Sequence, residues 1–200
     1  FMIDLYTNTR LLSAILDRIL ELWIKALDVL LDEAGDVVQM ICLGDDLGTQ
    51  RGLLFSPENY RKHIKPRHEK MCSHIHSRTN AKIYIHSCGA IEPIIRDLIE
   101  VGIDVLNPVQ PRAAGMDSTV LKEKYGGHLS FHGGVDTQEA LPLGNRKDVE
   151  DEVLKRLQAF GPGGGYICAP AHNILGDVPP ENIITMYEIA STRGRYPILK

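Results

Sequence analysis

The sequence predicts an α/β fold built on parallel strands, and three observations lead there. Five short, β-branched apolar runs each precede a longer segment with helical spacing. Helices of about 10–20 residues between such runs are the pattern of a parallel sheet covered by helices. Each run also ends in polar residues, and the carboxyl ends of parallel strands are where such folds bind ligands. Five units suit either a complete doubly wound sheet or the last five units of a (β/α)8 barrel. No strand is followed by a Gly-x-Gly-x-x-Gly loop. The Gly-rich stretch Gly161-Pro162-Gly163-Gly164-Gly165 precedes a strand, the wrong place to cradle a dinucleotide.

The elements follow in order. Residues 8–34 carry apolar residues at helical spacing (Leu11, Leu12, Ile15, Ile19, Leu22, Trp23, Leu27, Leu30, Leu31), with Asn8 as N-cap and Gly35 at the stop. A buried strand is expected at 37–43, closing on Gly44-Asp45-Asp46. Ser56-Pro57-Glu58 opens a helix: a capping hydroxyl, a proline in the first turn and an acid at the positive end. That helix should run to about residue 79, kinked or split at Pro66. The second strand is 82–86, followed by a helix at 91–101. The third is 105–107, with a short helix near 117–125. The fourth is 128–132, with a helix over 146–160. The fifth is 166–169, and Pro179-Pro180-Glu181 starts the closing helix, 180–192.

At 200 residues the chain reads as a single domain, 1–200, short of the about 250 residues of a full barrel. It begins Phe1-Met2 and enters an amphipathic helix at once, so an excised or truncated piece is expected. A net charge of −4 offers no basic field to nucleic acid or an anionic membrane. No apolar run approaches the roughly 18 residues of a membrane span, and no signal-peptide plan opens the chain. Cys42, Cys72, Cys88 and Cys168 are scattered, which suits free thiols in a cytoplasmic protein.

The strand ends hold the chemistry. They carry Asp45 and Asp46, then His86 and Cys88, then Asn107 and Gln110, then His132 and Asp136, then Cys168 and His172. In His86-Ser87-Cys88-Gly89 an extended backbone sends residues i and i+2 to the same side, aiming an imidazole and a thiol at one point. Nitrogen plus sulfur suits Zn²⁺. The third ligand is expected from the fifth unit, as His172 or alternatively Cys168. Of Asp45 and Asp46 one should face the pocket, as an acid–base group or a turn cap. His132 precedes Gly133-Gly134, which lets a ligand approach the backbone, and Asp136 and Gln138 follow. His63, His68, His74 and His76 are expected on a solvated helix face, Cys42 in the core, and Cys72 without a role.

Several ordered stretches resemble one family. Gly44-Asp45-Asp46-Leu47-Gly48-Thr49-Gln50, His86-Ser87-Cys88-Gly89, Asn107-Pro108-Val109-Gln110, Gly133-Gly134-Val135-Asp136-Thr137-Gln138 and Ala169-Pro170-Ala171-His172-Asn173-Ile174 resemble the uroporphyrinogen decarboxylase superfamily, over roughly residues 35–198. The resemblance implies a partial (β/α)8 TIM barrel, about its last five units, with the N-terminal units absent.

It also implies two chemistries. One branch decarboxylates uroporphyrinogen III without metal. The other comprises cobamide-dependent methyltransferases, which this chain resembles at His86-x-Cys88. There zinc activates a thiol such as coenzyme M to take a methyl group from a methyl-corrinoid on a partner protein. The expected roles follow. His86, Cys88 and His172 are metal ligands, although that branch carries a Cys where His172 stands. Asp45, Asp46, His132 and Asp136 are catalytic, and Asn107, Gln110, Gly133, Gly134 and Gln138 bind substrate. In the decarboxylases a His at the place of His172 contacts the porphyrinogen. An inactive fragment, and a homodimer joining two partial barrels, are the remaining expectations.

Overall fold

The computed structural model describes residues 1–198. A short helix, α1 (Asp4–Thr7), leads into α2 (Thr9–Ala34). Asn8 caps α2, its Oδ1 accepting from the Leu11 N–H at 3.4 Å. Strand β1 is Met40–Gly44 and starts three residues later than expected. Val37 and Val38 donate their N–H groups to Ala34 O, so the helix-ending turn absorbs them.

The helical region after β1 is split. It comprises α3 (Pro57–Asn59), a π turn at Tyr60–Ile64, and α4 (Lys65–Arg78). Ser56 caps α3 and Pro57 occupies its first turn. Lys65 N–H bonds to Tyr60 O, five residues back, just before Pro66. Pro66 has no N–H to continue the ladder, and a π turn absorbs the interruption. Strand β2 (Lys82–His86) then leads to a 3₁₀ turn at Glu92–Ile94 and α5 (Ile95–Glu100). Next come β3 (Val105–Val109), α6 (Ser118–Tyr125), β4 (Ser130–Val135), α7 (Ala140–Leu143), α8 (Arg146–Phe160), β5 (Tyr166–Pro170) and α9 (Pro180–Arg193).

The sheet order is β1-β2-β3-β4-β5, all parallel. Sequential order decides between the two architectures left open by the strand–helix alternation. Right-handed crossovers that always step the same way put every helix on one face, as in a barrel, whereas a doubly wound sheet reverses direction. The fold is five units of a (β/α)8 type. On the helix side lie Ile83, Ile85, Leu106, Phe131 and Tyr166, all buried. Phe131, Phe160 and Tyr166 stack there, with ring centroids 4.7 and 5.1 Å apart.

The opposite face is polar at its upper end. Gly44, His86 and Asn107 lie in one row across β1, β2 and β3. Cys42 sits on this face, in register with Tyr84, and is exposed. It is therefore not a core residue: Ile41, not Cys42, turns toward the helices.

The histidines of α3–α4 also depart from expectation. His63 and His68 are buried at 3% and 7% exposure. His74 bonds Asp28 of α2 at 2.8 Å and His76 bonds Gly102 O at 2.9 Å. His74 and His76 thus supply polar pairing to α2 and to the turn after α5, with His76 still exposed, while His63 and His68 are packed inside.

Candidate metal centre

Three groups converge at the ends of β2 and β5. The donor atoms of His86, Cys88 and His172 all lie within 4.8 Å of one another. His86 Nε2 is 3.5 Å from Cys88 Sγ. The His86 and His172 rings meet edge-on, with centroids 5.8 Å apart. Two donors sharing a tetrahedral zinc at about 2.0–2.3 Å stand roughly 3.5 Å apart. The His86–Cys88 spacing already matches that figure, and the two-nitrogen, one-sulfur set, with His86 and Cys88 half-buried and His172 exposed, fits zinc. Three protein ligands leave a fourth position for a substrate.

Cys168 is not part of this cluster. It is in register with Gly133 and turns to the helix side, lining a crevice of about 320 Å³ with Leu157, Tyr166 and Tyr187. Side-chain alternation makes the difference: on β5 the sheet's open face belongs to Ile167 and Ala169.

The surrounding loops hold the Cys88 segment in place. Cys88 N–H donates to Asp46 Oδ1 at 2.9 Å. Burial, then the Asp46 charge and hydrogen bond, push the Cys88 thiol up to about 11. Gly89 takes φ +86, a left-handed value that lets the chain turn beside Gly48 and Thr49. Its N–H donates to Gln110 Oε1 at 3.0 Å. Gln50 Nε2 donates to the same oxygen at 2.8 Å, and Gln138 Nε2 donates to Gln50 Oε1 at 3.4 Å. Carboxamides from the loops after β1, β3 and β4 thus form one chain along the mouth.

Asn107 is buried, at 5% exposure, under that mouth. Its Oδ1 lies 2.6 Å from His86 Nδ1, and its Nδ2 lies 2.7 Å from His132 Nδ1 and 3.3 Å from His132 O. His132 packs edge-on against Tyr84 at 5.3 Å, and burial holds its pKa below the ordinary histidine value.

Other expected site residues have structural partners. Asp45 turns toward α4, where His68 Nε2 is 3.1 Å away, and His68 Nδ1 is 3.1 Å from the Tyr60 hydroxyl. Asp136 is buried and accepts from Arg112 Nε at 2.7 Å and from the Gln138, Glu139 and Ala140 N–H groups. Burial alone would raise its pKa; the Arg112 and backbone hydrogen bonds outweigh it and hold the carboxyl below the usual range. An ionised carboxylate so occupied is a loop cap rather than a proton donor. Gly133 and Gly134 are buried, and a Cβ on Gly133 would stand 3.3 Å from the Pro108 backbone. Strand packing explains the pair. The pairing of Asp45 with His68, a histidine expected on a solvated face, was not foreseen, and Gln50 entered only within the Gly44–Gln50 stretch; a lone histidine on a helix and a loop glutamine carry no periodic signal.

Fold and site together define an α/β-barrel-type chain with a thiol–imidazole cluster at the strand ends. Residues 1–193 match the uroporphyrinogen decarboxylase (URO-D) family, and the chain belongs to it. Uroporphyrinogen decarboxylases of Legionella pneumophila strains Lens and Philadelphia 1 are each 34% identical over 80 residues, which is 38% of this chain and 22% of theirs. A methyltransferase from Methanosarcina mazei shares the fold with a TM-score of 0.76 and 24% identity, over 98% of this chain and 53% of that one. The chain thus spans about half of that solved protein and less than a quarter of those curated relatives. No helix of the described residues is long and apolar enough to cross a membrane.

Proposed function

We propose that the chain belongs to a zinc-dependent methyltransferase that moves a methyl group from a methyl-corrinoid, carried by a partner protein, to a small-molecule thiol. The observation that carries this reading is the convergence of His86, Cys88 and His172 within 4.8 Å at the strand ends. Those three residues would hold the ion. Bound zinc supplies the Lewis acidity that keeps a substrate thiol ionised at neutral pH.

The chain's own residues do the rest. Cys88, whose thiol is protonated at neutral pH before ligation, gives up that proton when it ligates. Asp46 and Gln110 grip the Cys88 and Gly89 N–H groups and fix the loop that aims the sulfur. His132, on the open face, offers a ring N–H to substrate, and Gln138 rims the entry. The substrate sulfur forms its bond to the methyl carbon as the cobalt–carbon bond breaks, with the electron pair leaving on cobalt. Holding sulfur and methyl in line supplies most of the advantage.

A second reading is supported by the names of the curated relatives: a metal-free porphyrinogen carboxy-lyase, in which His172 contacts substrate. Elemental analysis separates the two. One zinc per chain, lost in Cys88→Ser, is the expected result. Metal-free protein that decarboxylates a porphyrinogen would overturn the proposal.

A further inference from the structure

We infer that Asn107 is a positioning residue whose single carboxamide sets the ring tautomers of His86 and His132 together. The inference deepens the metal reading above and rests on it for its consequence, but not for its geometry.

A carboxamide has one accepting end and one donating end. The end 3.3 Å from the His132 carbonyl must be the donating NH₂, because a carbonyl oxygen only accepts. That fixes the other end as oxygen, 2.6 Å from His86 Nδ1. An oxygen there requires a proton on His86 Nδ1. A neutral imidazole carries one ring proton, so His86 Nε2 is left with its lone pair. That nitrogen is the one 3.5 Å from Cys88 Sγ. The NH₂ end also donates to His132 Nδ1 at 2.7 Å, which leaves the His132 proton on Nε2.

The sheet explains why one amide reaches both rings. His86 and Asn107 are register partners on β2 and β3. His132 follows Phe131, the partner of Leu106, on β4. Adjacent strands lie about 4.8 Å apart, so Asn107, on the strand between, reaches both rings although the β3–β4 register shifts after Leu106. Asn107 is 5% exposed, so water cannot repair a reversed amide. Reversal would set oxygen against the His132 carbonyl and turn His86 into its Nε2–H form, which has no lone pair facing Cys88. A ligand histidine held this way through its other nitrogen gains basicity and a fixed orientation.

The test reads the tautomers directly. Long-range ¹H–¹⁵N spectra of the metal-free protein should show His86 as Nδ1–H and His132 as Nε2–H. Asn107→Ala should scramble both while circular dichroism stays native. It should also weaken binding of Zn²⁺ alone by about 10–100-fold. Asn107→Asp keeps an oxygen facing His86 and should retain the Nδ1–H form, whereas a merely space-filling role would make it no better than alanine. Wild-type protein that shows these tautomers but takes up no zinc overturns the metal reading and supports this one. His86 found as Nε2–H in the wild type, or unchanged tautomers in Asn107→Ala, overturns the inference.

Discussion

Replacing Asp97 by asparagine should destabilise the protein in a way that depends on pH. Asp97 is on α5, and its carboxylate is 6% exposed. Arg61 Nε and Nη2 reach it at 3.0–3.1 Å and Lys65 Nζ at 2.8 Å. Arg61 belongs to the π turn and Lys65 to the first turn of α4, so the carboxylate ties the split helix to the unit that follows β2. Charged hydrogen bonds contribute about 1.5–3 kcal/mol each. Both cations discount that figure, because the Arg61 and Lys65 side chains are 51% and 22% exposed and would regain water. Lys65 also keeps Glu100. A net loss of about 2 kcal/mol remains, or roughly 4–8 °C in Tm for a chain of this size. Burial pushes the Asp97 pKa up, but the Arg61 and Lys65 hydrogen bonds outweigh it and the carboxyl lies below its ordinary value. Asp97 in the unfolded chain titrates near its ordinary value of about 3.9. The wild-type advantage is therefore complete above that value and is lost as pH falls through the lower folded pKa. Urea unfolding of Asp97→Asn and wild type from pH 7 to pH 3 should show a constant gap that closes at the acid end. No gap at pH 7, or a gap undiminished at pH 3, refutes the reasoning.

Zinc at about 100 times its Kd should add about 2.7 kcal/mol to metal-free protein, a Tm rise of roughly 5–11 °C by differential scanning fluorimetry. Cys88→Ser and His172→Ala should each remove most of that rise. His63→Leu should stabilise the protein by about 1 kcal/mol at pH 7, because His63 Nε2 is buried with no partner among the described residues. Burial, and then the charges of Lys62 and Arg67, depress the His63 pKa. The unfolded chain therefore takes the proton first, and wild type loses stability as pH falls below about 6.5. Urea midpoints of His63→Leu should fall less between pH 7 and 5. Gly133→Ala, at φ +112 and against the Pro108 backbone, should cost about 1–3 kcal/mol in the same measurement.

The strands were legible because burial writes itself into composition. Ile83 and Ile85 are packed under helices, and their β-branched run marks β2 to the residue. Boundaries drifted where backbone hydrogen bonds, which leave no trace in residue type, decide them. Val37 and Val38 look like a strand, yet their N–H groups close a turn on Ala34. Ser130–Val135 outlasts its apolar stretch because glycines continue the ladder through Gly133 and Gly134 to β5.

The candidate metal cluster was legible for a related reason. Spacing by two on a strand end brings His86 and Cys88 to one side whatever the rest of the fold does. What spacing could not reveal is which polar residues at the strand ends are consumed in structural hydrogen bonds. Asn107, Asp136 and Asp45 have the same chemistry as catalytic groups, and only burial and partners show them bonded to His86, Arg112 and His68. The end of β5 separates His172 from Cys168. Alternation turns Cys168 to the helix side, whereas β5 stops at Pro170 and His172 stands in the loop beyond it, so only His172 reaches His86. The sequence lists the groups able to ligate an ion; strand and loop geometry select among them. A pair on one strand is readable from spacing alone, but a ligand supplied from another strand requires the sheet order, which no local pattern encodes.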